Sequence, residues 1–147
     1  MELNYEKDLE IDKFQLDKEC LTHAKMYYNY AEAAQDAKAR ISKAKDNVEF
    51  VTAKRNIEIR KEYETIGKKF TEAVITSELA LDKDVIFAKN ELRDAEELYG
   101  KLQVAVNAME IKGNELDNLV KLFGSQYFST TKDYGNEIRK NLNKNVK

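Results

Sequence analysis

Residues 85–123 read VIFAKNELRDAEELYGKLQVAVNAMEIKGNELDNLVKLF and contain two sets of positions that recur every seven residues. Apart from one glycine, every position in both sets is apolar. The sets are Val85, Leu92, Tyr99, Val106, Gly113 and Val120, and Ala88, Ala95, Leu102, Met109, Leu116 and Phe123. A spacing of about 3.5 residues, sustained over this length, predicts a helix about 58 Å long that packs along another helix.

A second repeat of the same kind lies upstream and begins at Tyr27. It predicts a long helix over 22–63, which ends before Gly67 because glycine readily adopts the conformation that closes a helix. Two long seams joined by a short connector indicate an antiparallel hairpin. If residue 58 lies near residue 85, opposing residue numbers sum to about 143; large residues then oppose small ones, and Tyr30 faces Gly113.

Shorter helices are predicted beside the hairpin. A loose apolar pattern indicates a first helix over roughly 5–20, and Thr71 is expected to cap a short helix that runs to about Ala80. Asp82 or Asp84 should cap the helix of the last seam. The predicted fold is all-α: a long antiparallel helical hairpin with short additional helices. Because two helices leave apolar surface uncovered, we expect assembly into a helical homo-oligomer.

The chain has 147 residues and no proline, so no segment is excluded from helix. We assign residues 1–124 to one helical domain and 125–147 to a polar, basic C-terminal tail. The chain begins with acidic residues, unlike a targeting signal, and no apolar run approaches the length that spans a membrane. The single cysteine fits a reducing compartment.

The sequence offers little for catalysis or metal binding. Cys20 and His23 lie three positions apart, on one face of a helix, and could form a metal pair or a nucleophile with its base. Either role needs further partners, and the chain has no second cysteine or histidine. A structural role is therefore the better interpretation, and we expect no enzymatic activity, no metal and no cofactor.

The net charge of −2 hides a basic stretch over residues 38–69, with ten basic side chains against five acidic ones. The following stretch, 70–99, has eight acidic side chains against three basic ones. The candidate anion-binding residues are Lys54, Arg55, Arg60, Lys61, Lys68 and Lys69. Phe50, Tyr63 and Phe70 are near them in sequence and could stack on bases. From composition alone, a solvated face partly neutralised by neighbouring acids is the stronger interpretation.

Several short stretches follow one another in a fixed order: AKRNIEIR at 53–60, FTEAVI at 70–75, LDKDV at 81–85, and AMEIKGNEL at 108–116 followed by Leu119-Val120. In order and spacing the chain resembles phage recombination mediators of the UvsY type, over residues 20–123. These are small helical proteins that load a recombinase onto single-stranded DNA.

The resemblance implies a ring-like homo-oligomer that binds single-stranded DNA in the cytoplasm of the infected bacterial host. Its partners would be a single-stranded-DNA-binding protein and a RecA-like recombinase. The resemblance assigns DNA contact to Lys54 and Arg55, and more weakly to Arg60 and Lys61. It also matches a basic residue followed by glycine at Lys112-Gly113, where contact with DNA and a role in packing both stay open.

Two further lysines, Lys38 and Lys43, lie farther up the same helix, and we expect their loss to affect DNA binding less. The alternative to a mediator is a non-enzymatic phage structural or scaffolding coiled-coil protein. The two interpretations differ in one structural respect. A mediator should expose the basic stretch as one contiguous face, whereas in a scaffold the basic stretch should form ion pairs with the acidic stretch at 70–99.

Overall fold

The computed structural model describes residues 4–127, and this part of the chain contains four α-helices and no strand. They are α1 (Tyr5–Leu9), α2 (Leu16–Thr65), α3 (Glu72–Leu81) and α4 (Lys83–Gly124). The two long helices, α2 and α4, form a helical hairpin. The predicted all-α hairpin is therefore confirmed, whereas assembly into a homo-oligomer stays a prediction.

The turn between α2 and α3 forms at the predicted glycine. Gly67 has a φ of +66°, a left-handed conformation that costs glycine little. The N–H of Lys68 donates to the carbonyl oxygen of Tyr63 at 3.1 Å, and the N–H of Gly67 donates to that of Glu64 at 3.1 Å. These bonds satisfy carbonyls that the end of a helix leaves without partners, as in a Schellman turn.

Polar caps define the starts of α3 and α4. The hydroxyl of Thr71 accepts a bond from the N–H of Val74 at 3.4 Å, as predicted. Of the two aspartates considered for the next cap, Asp82 has that role: its Oδ1 accepts from the N–H of Asp84 at 3.0 Å and of Val85 at 3.2 Å. The last helix, α4, ends at Gly124.

The predicted first helix over 5–20 is wrong, because α1 ends at Leu9 and α2 begins at Leu16. Between them the side chain of Asp12 accepts a bond from the N–H of Phe14 at 2.9 Å. The carboxylate of Glu19 accepts from the N–H of Asp12 at 3.3 Å. Such local bonds offer the backbone an alternative to the helix, which the loose apolar pattern did not reveal.

Contacts divide the chain into two compact units, and α2 and α4 contribute to both. Among the described residues, the first unit comprises 4–32 and 103–127 and the second comprises 33–102. Residues 128–147 lie outside the described part of the chain. The assignment of 1–124 to one domain and 125–147 to a tail therefore stays a prediction.

The core of the first unit sets the register of the hairpin there. Tyr30 of α2 forms a buried cluster with Ala105 and Met109 of α4, and Met109 has no exposed surface. Seven residues earlier, His23 lies against Gly113. Residue numbers thus fall along α2 as they rise along α4, which makes the hairpin antiparallel in this unit.

The predicted pairing of Tyr30 with Gly113 is wrong by one heptad. A heptad repeat looks the same after a shift of seven residues, so the apolar pattern alone cannot choose between these registers. Contacts outside the pattern distinguish them: the phenol of Tyr30 donates to Asp8 of α1 at 2.9 Å, and the imidazole of His23 fills the space at Gly113.

The second unit is built on α3 and the facing parts of the long helices. Its buried side chains include Ile59 of α2, Ile75 of α3 and Val85 of α4. Buried alanines, which allow helix backbones to approach closely, occur at Ala34, Ala37 and Ala88. No helix among residues 4–127 has the length and apolar character needed to cross a membrane.

Candidate nucleic-acid interface

The six candidate cations lie in the second unit, where the last turns of α2 meet the Gly67 turn and α3. Four of them, Lys54, Arg55, Arg60 and Lys61, are on α2, and Lys68 and Lys69 follow the turn. The two arginines and the four lysines differ in environment: the arginines form ion pairs with carboxylates, and the lysines are exposed to solvent.

Arg55 connects α2 to the start of α4. Its Nε donates to Oδ2 of Asp82 at 2.8 Å, and its guanidinium also binds Glu58 one turn along the helix. Only 26% of the side chain is exposed. The bond from Arg55 holds the pKa of Asp82 below its ordinary value, and the bonds that Arg55 donates to Asp82 and Glu58 raise the pKa of Arg55. Since Asp82 also caps α4, this contact has a structural role.

Arg60 connects α2 to the start of α3 in a similar way. Its guanidinium donates to Glu72 at 2.5 Å and to the side-chain oxygen of Asn56 at 2.7 Å. The guanidinium carbon lies 5.6 Å from the centre of the Phe70 ring, within the range of a cation–π contact. The bond from Arg60 lowers the pKa of Glu72. A planar guanidinium suits this role because its donors diverge toward several partners at once.

Two of the three candidate aromatic residues belong to the same packing. The rings of Tyr63 and Phe70 are 5.4 Å apart, and the hydroxyl of Tyr63 donates to Glu78 of α3 at 2.5 Å. This bond raises the pKa of Tyr63. The third, Phe50, has no ring partner among residues 4–127 and is 66% exposed. Of the three, Phe50 is therefore the ring most available for stacking on a base.

The four lysines are all exposed. Lys54 has 61% of its side chain exposed and lies 3.9 Å from Glu58, a long contact that contributes little at a surface. Within residues 4–127, no carboxylate lies within ion-pair distance of Lys61, Lys68 or Lys69. The candidate cations are thus divided: Arg55 and Arg60 form ion pairs with Asp82 and Glu72 of the acidic stretch, as the scaffold interpretation expects, whereas the four lysines form an exposed cationic surface.

Lys112 lies in the first unit and is only 4% exposed. Its ammonium donates to the backbone oxygens of Asp8 at 2.9 Å and Glu10 at 2.8 Å, and it pairs with Glu19 at 2.9 Å. The question left open at Lys112-Gly113 is therefore answered in favour of packing. Ala105 and Lys112 are both buried and lie seven residues apart, at a heptad position that the two predicted sets do not include.

Cys20 and His23 lie in different environments. Cys20 is exposed, whereas Nδ1 of His23 is buried without a hydrogen-bond partner. Burial is the main cause that lowers the pKa of His23; the charge of Lys112 lowers it further, and that of Glu19 opposes the shift. No group of three or more histidine, cysteine, aspartate or glutamate side chains in the described region could hold a metal ion.

The sequence matches no protein-family model and no curated protein. Among solved structures, the fold is similar to that of the bacteriophage T4 recombination mediator protein UvsY, seen in its crystal structure. The TM-score is 0.69 at 17% sequence identity, and the match covers 83% of this chain and 92% of the UvsY chain. The resemblance noted in the sequence is thereby confirmed at the level of the fold.

Proposed function

We propose that this protein is a recombination mediator that binds single-stranded DNA and helps to load a RecA-like recombinase onto it. The observation that carries the proposal is an exposed cationic surface, formed by Lys54, Lys61, Lys68 and Lys69, on a fold similar to that of a known mediator. Three of these ammonium groups have no carboxylate within ion-pair distance among residues 4–127, and the contact of Lys54 with Glu58 is long at 3.9 Å, so the surface can bind phosphates at little cost.

The mechanism is binding without chemistry. The lysines neutralise phosphates and release the counterions that surround the DNA, which provides affinity without sequence preference. Arg55 and Arg60 were also predicted to bind DNA. Because both are engaged with Asp82 and Glu72, we give them an indirect role in holding α2, α3 and α4 in place.

A single protomer presents few cations, so the proposal includes a ring-like homo-oligomer that binds one strand at several sites at once. Large apolar side chains that are more than half exposed support such assembly; they include Leu21, Leu81, Val104 and Ile111. Static light scattering should give a mass that is a multiple of 17.0 kDa. A monomer mass at micromolar protein would contradict this part of the proposal.

The proposal is tested by titrating an oligo(dT) with the protein at about 50 mM and about 200 mM salt. Each phosphate contact on a single strand contributes about −0.7 to the log–log slope of affinity against salt. The double variant Lys54→Ala/Lys61→Ala should bind more weakly, and its slope should be shallower by about 1.4 if both contacts are lost.

The matched control is Lys38→Ala/Lys45→Ala, which removes the same charge from exposed positions of α2 on another face of the helix. It should bind nearly as tightly as the wild type. The competing function is a structural or scaffolding coiled-coil protein, favoured by the ion pairs of the two arginines. If the wild type does not bind oligo(dT) at either salt concentration, the scaffold is the better interpretation.

A further inference from the structure

One face of α2 extends the exposed cationic surface away from the Gly67 turn. Lys43, Phe50, Lys54, Ile57 and Lys61 follow at spacings of seven, four, three and four residues. On an uninterrupted helix with about 3.6 residues per turn, these spacings place all five side chains within an arc of about 60°. α2 is continuous over this stretch, so the five residues form one stripe about 27 Å long.

The stripe alternates charge with apolar surface, and all five of its residues are exposed. Phe50 and Ile57 lie between the lysines, with 66% and 55% of their surfaces accessible. Like Lys61, Lys43 has no carboxylate within ion-pair distance among the described residues. A groove that binds single strands needs this combination, because cations hold the backbone while a flat ring stacks on a base.

We propose that this stripe binds single-stranded DNA along α2, with Phe50 as a stacking platform for a base and Lys43 as a further phosphate contact. The inference rests on the proposed function and goes beyond it in naming the direction of the strand and the aromatic residue. It departs from the expectation that loss of Lys43 matters little, because Lys43 shares this face, whereas Lys38 lies roughly 140° away from Lys43 around the helix.

Charge favours a nucleic acid over a second copy of this chain as the occupant. The three lysines of the stripe attract a polyanion along its whole length. Two acidic residues, Asp46 and Glu64, lie about 20° outside the arc, beside Ile57. They border one edge of the stripe, and Glu58, which lies 3.9 Å from Lys54, is about 40° outside the opposite edge. A protein partner that covered Phe50 and Ile57 would have to desolvate these lysines, which is unfavourable without matching carboxylates.

The test uses the absence of tryptophan from the chain. Phe50→Trp introduces a single indole on the stripe, and its emission should be quenched when oligo(dT) binds, because the base stacks on it. Phe87→Trp is the matched control, since Phe87 is also a well exposed phenylalanine, on α4. Its emission should stay unchanged. Equal responses at both positions would overturn the stacking role.

Affinity gives a second, independent measurement. Phe50→Ala should weaken oligo(dT) binding about tenfold, and Phe50→Trp should retain it, because stacking on an aromatic ring needs a ring rather than one particular residue. Lys43→Ala should weaken binding and make the salt slope shallower, whereas Lys38→Ala should change neither.

The outcomes separate this inference from the proposed function. Wild-type protein that binds oligo(dT), together with a Phe50→Ala variant of equal affinity, would overturn the stripe and leave the mediator proposal standing. Wild-type protein that does not bind would overturn both. Light scattering on Phe50→Ala completes the test: a variant that loses its oligomeric state would identify the stripe as a contact between copies of this chain, against the inference.

Discussion

The ammonium of Lys112 lies 2.9 Å from the backbone oxygen of Asp8, across 104 positions of sequence. It is one of three contacts that this buried group makes, the others being Glu10 and Glu19. The carbonyls at the end of α1 have no partner within so short a helix, and the lysine supplies one. The same Asp8 accepts a bond from Tyr30, so α1 is held to the core of the first unit at two points.

We expect Lys112→Met to destabilise the protein by about 3 kcal/mol, because it keeps the aliphatic volume but leaves Glu19 and two carbonyls without their partner. Urea denaturation at a fixed protein concentration measures the loss. Lys121→Met, at an exposed lysine of the same helix, is the control and should change stability little. Equal stability of the two variants would contradict the assigned role of Lys112.

The stability of the first unit should depend on pH near neutrality through His23. The folded state lowers the pKa of this group below its ordinary 6.5, so the unfolded chain binds a proton more readily. Protonation of His23 should therefore not reduce the free energy of unfolding above pH 6.5. As the pH falls from 6.5 toward the lower pKa of the folded state, the free energy of unfolding should decrease. His23 is the single histidine in the chain, which makes the assignment direct.

His23→Gln, which cannot take up a proton, should show a flatter dependence between about pH 5.5 and 7.5 than the wild type. Urea denaturation curves at the two pH values give the comparison. If wild type and variant lose the same free energy on acidification, the burial of the imidazole has no energetic consequence.

The ion pairs of the second unit should be sensitive to acid at lower pH. The folded state depresses the pKa of Asp82 and Glu72 below their ordinary 3.8 and 4.5, so these two carboxylates stabilise the fold fully above their ordinary pKa values. This stabilisation is lost as the pH falls through the lower pKa values of the folded state. Asp82→Asn keeps an oxygen to cap α4 but loses the charge opposite Arg55.

This variant should melt at a lower temperature than the wild type at pH 7, and the difference should shrink toward pH 3 as Asp82 itself becomes neutral in the wild type. Circular dichroism melts across this range measure both quantities. A difference in melting temperature that is constant with pH would mean that the charge of Asp82 does not stabilise the fold.

Truncation of the buried seam should be costly. Leu116→Ala and Leu102→Ala remove side chains that are almost completely buried, one in each unit, and should cost about 2–5 kcal/mol each. Val120→Ala alters the same seam at a position that is 45% exposed, and should cost about 0.5 kcal/mol. Chemical denaturation orders the three variants; a Val120 variant as unstable as the leucine variants would contradict the observed burial.

Periodicity and capping chemistry were sufficient to predict most of the fold, because both are local in sequence. The seam of α4, the closing glycine at 67 and the Thr71 cap all follow from neighbouring residues. The register was beyond reach, since a heptad repeat is unchanged by a shift of seven. The break at Asp12 depends on a competition between local bonds, which no apolar pattern contains.

The candidate site was predictable only as a group of charges. Composition identified the basic stretch but could not separate Arg55 and Arg60 from the lysines, because their partners Asp82 and Glu72 lie on other elements. The same holds for Phe50: its helical spacing from Lys43 and Lys61 was in the sequence, yet only the structure shows that the ring is exposed while Tyr63 and Phe70 are not free.

The separation of arginines from lysines also bears on how a bound strand is released. A guanidinium in a fixed fork holds a partner in one orientation, whereas an ammonium on a flexible stem accepts a phosphate from many directions. The phosphates are held only by lysines, which impose no register on α2, and stacking on Phe50 accepts any base, so the strand can slide in small steps without breaking a directional contact. Under the proposed function, the protein would hold DNA in a form that another protein can withdraw progressively, phosphate by phosphate.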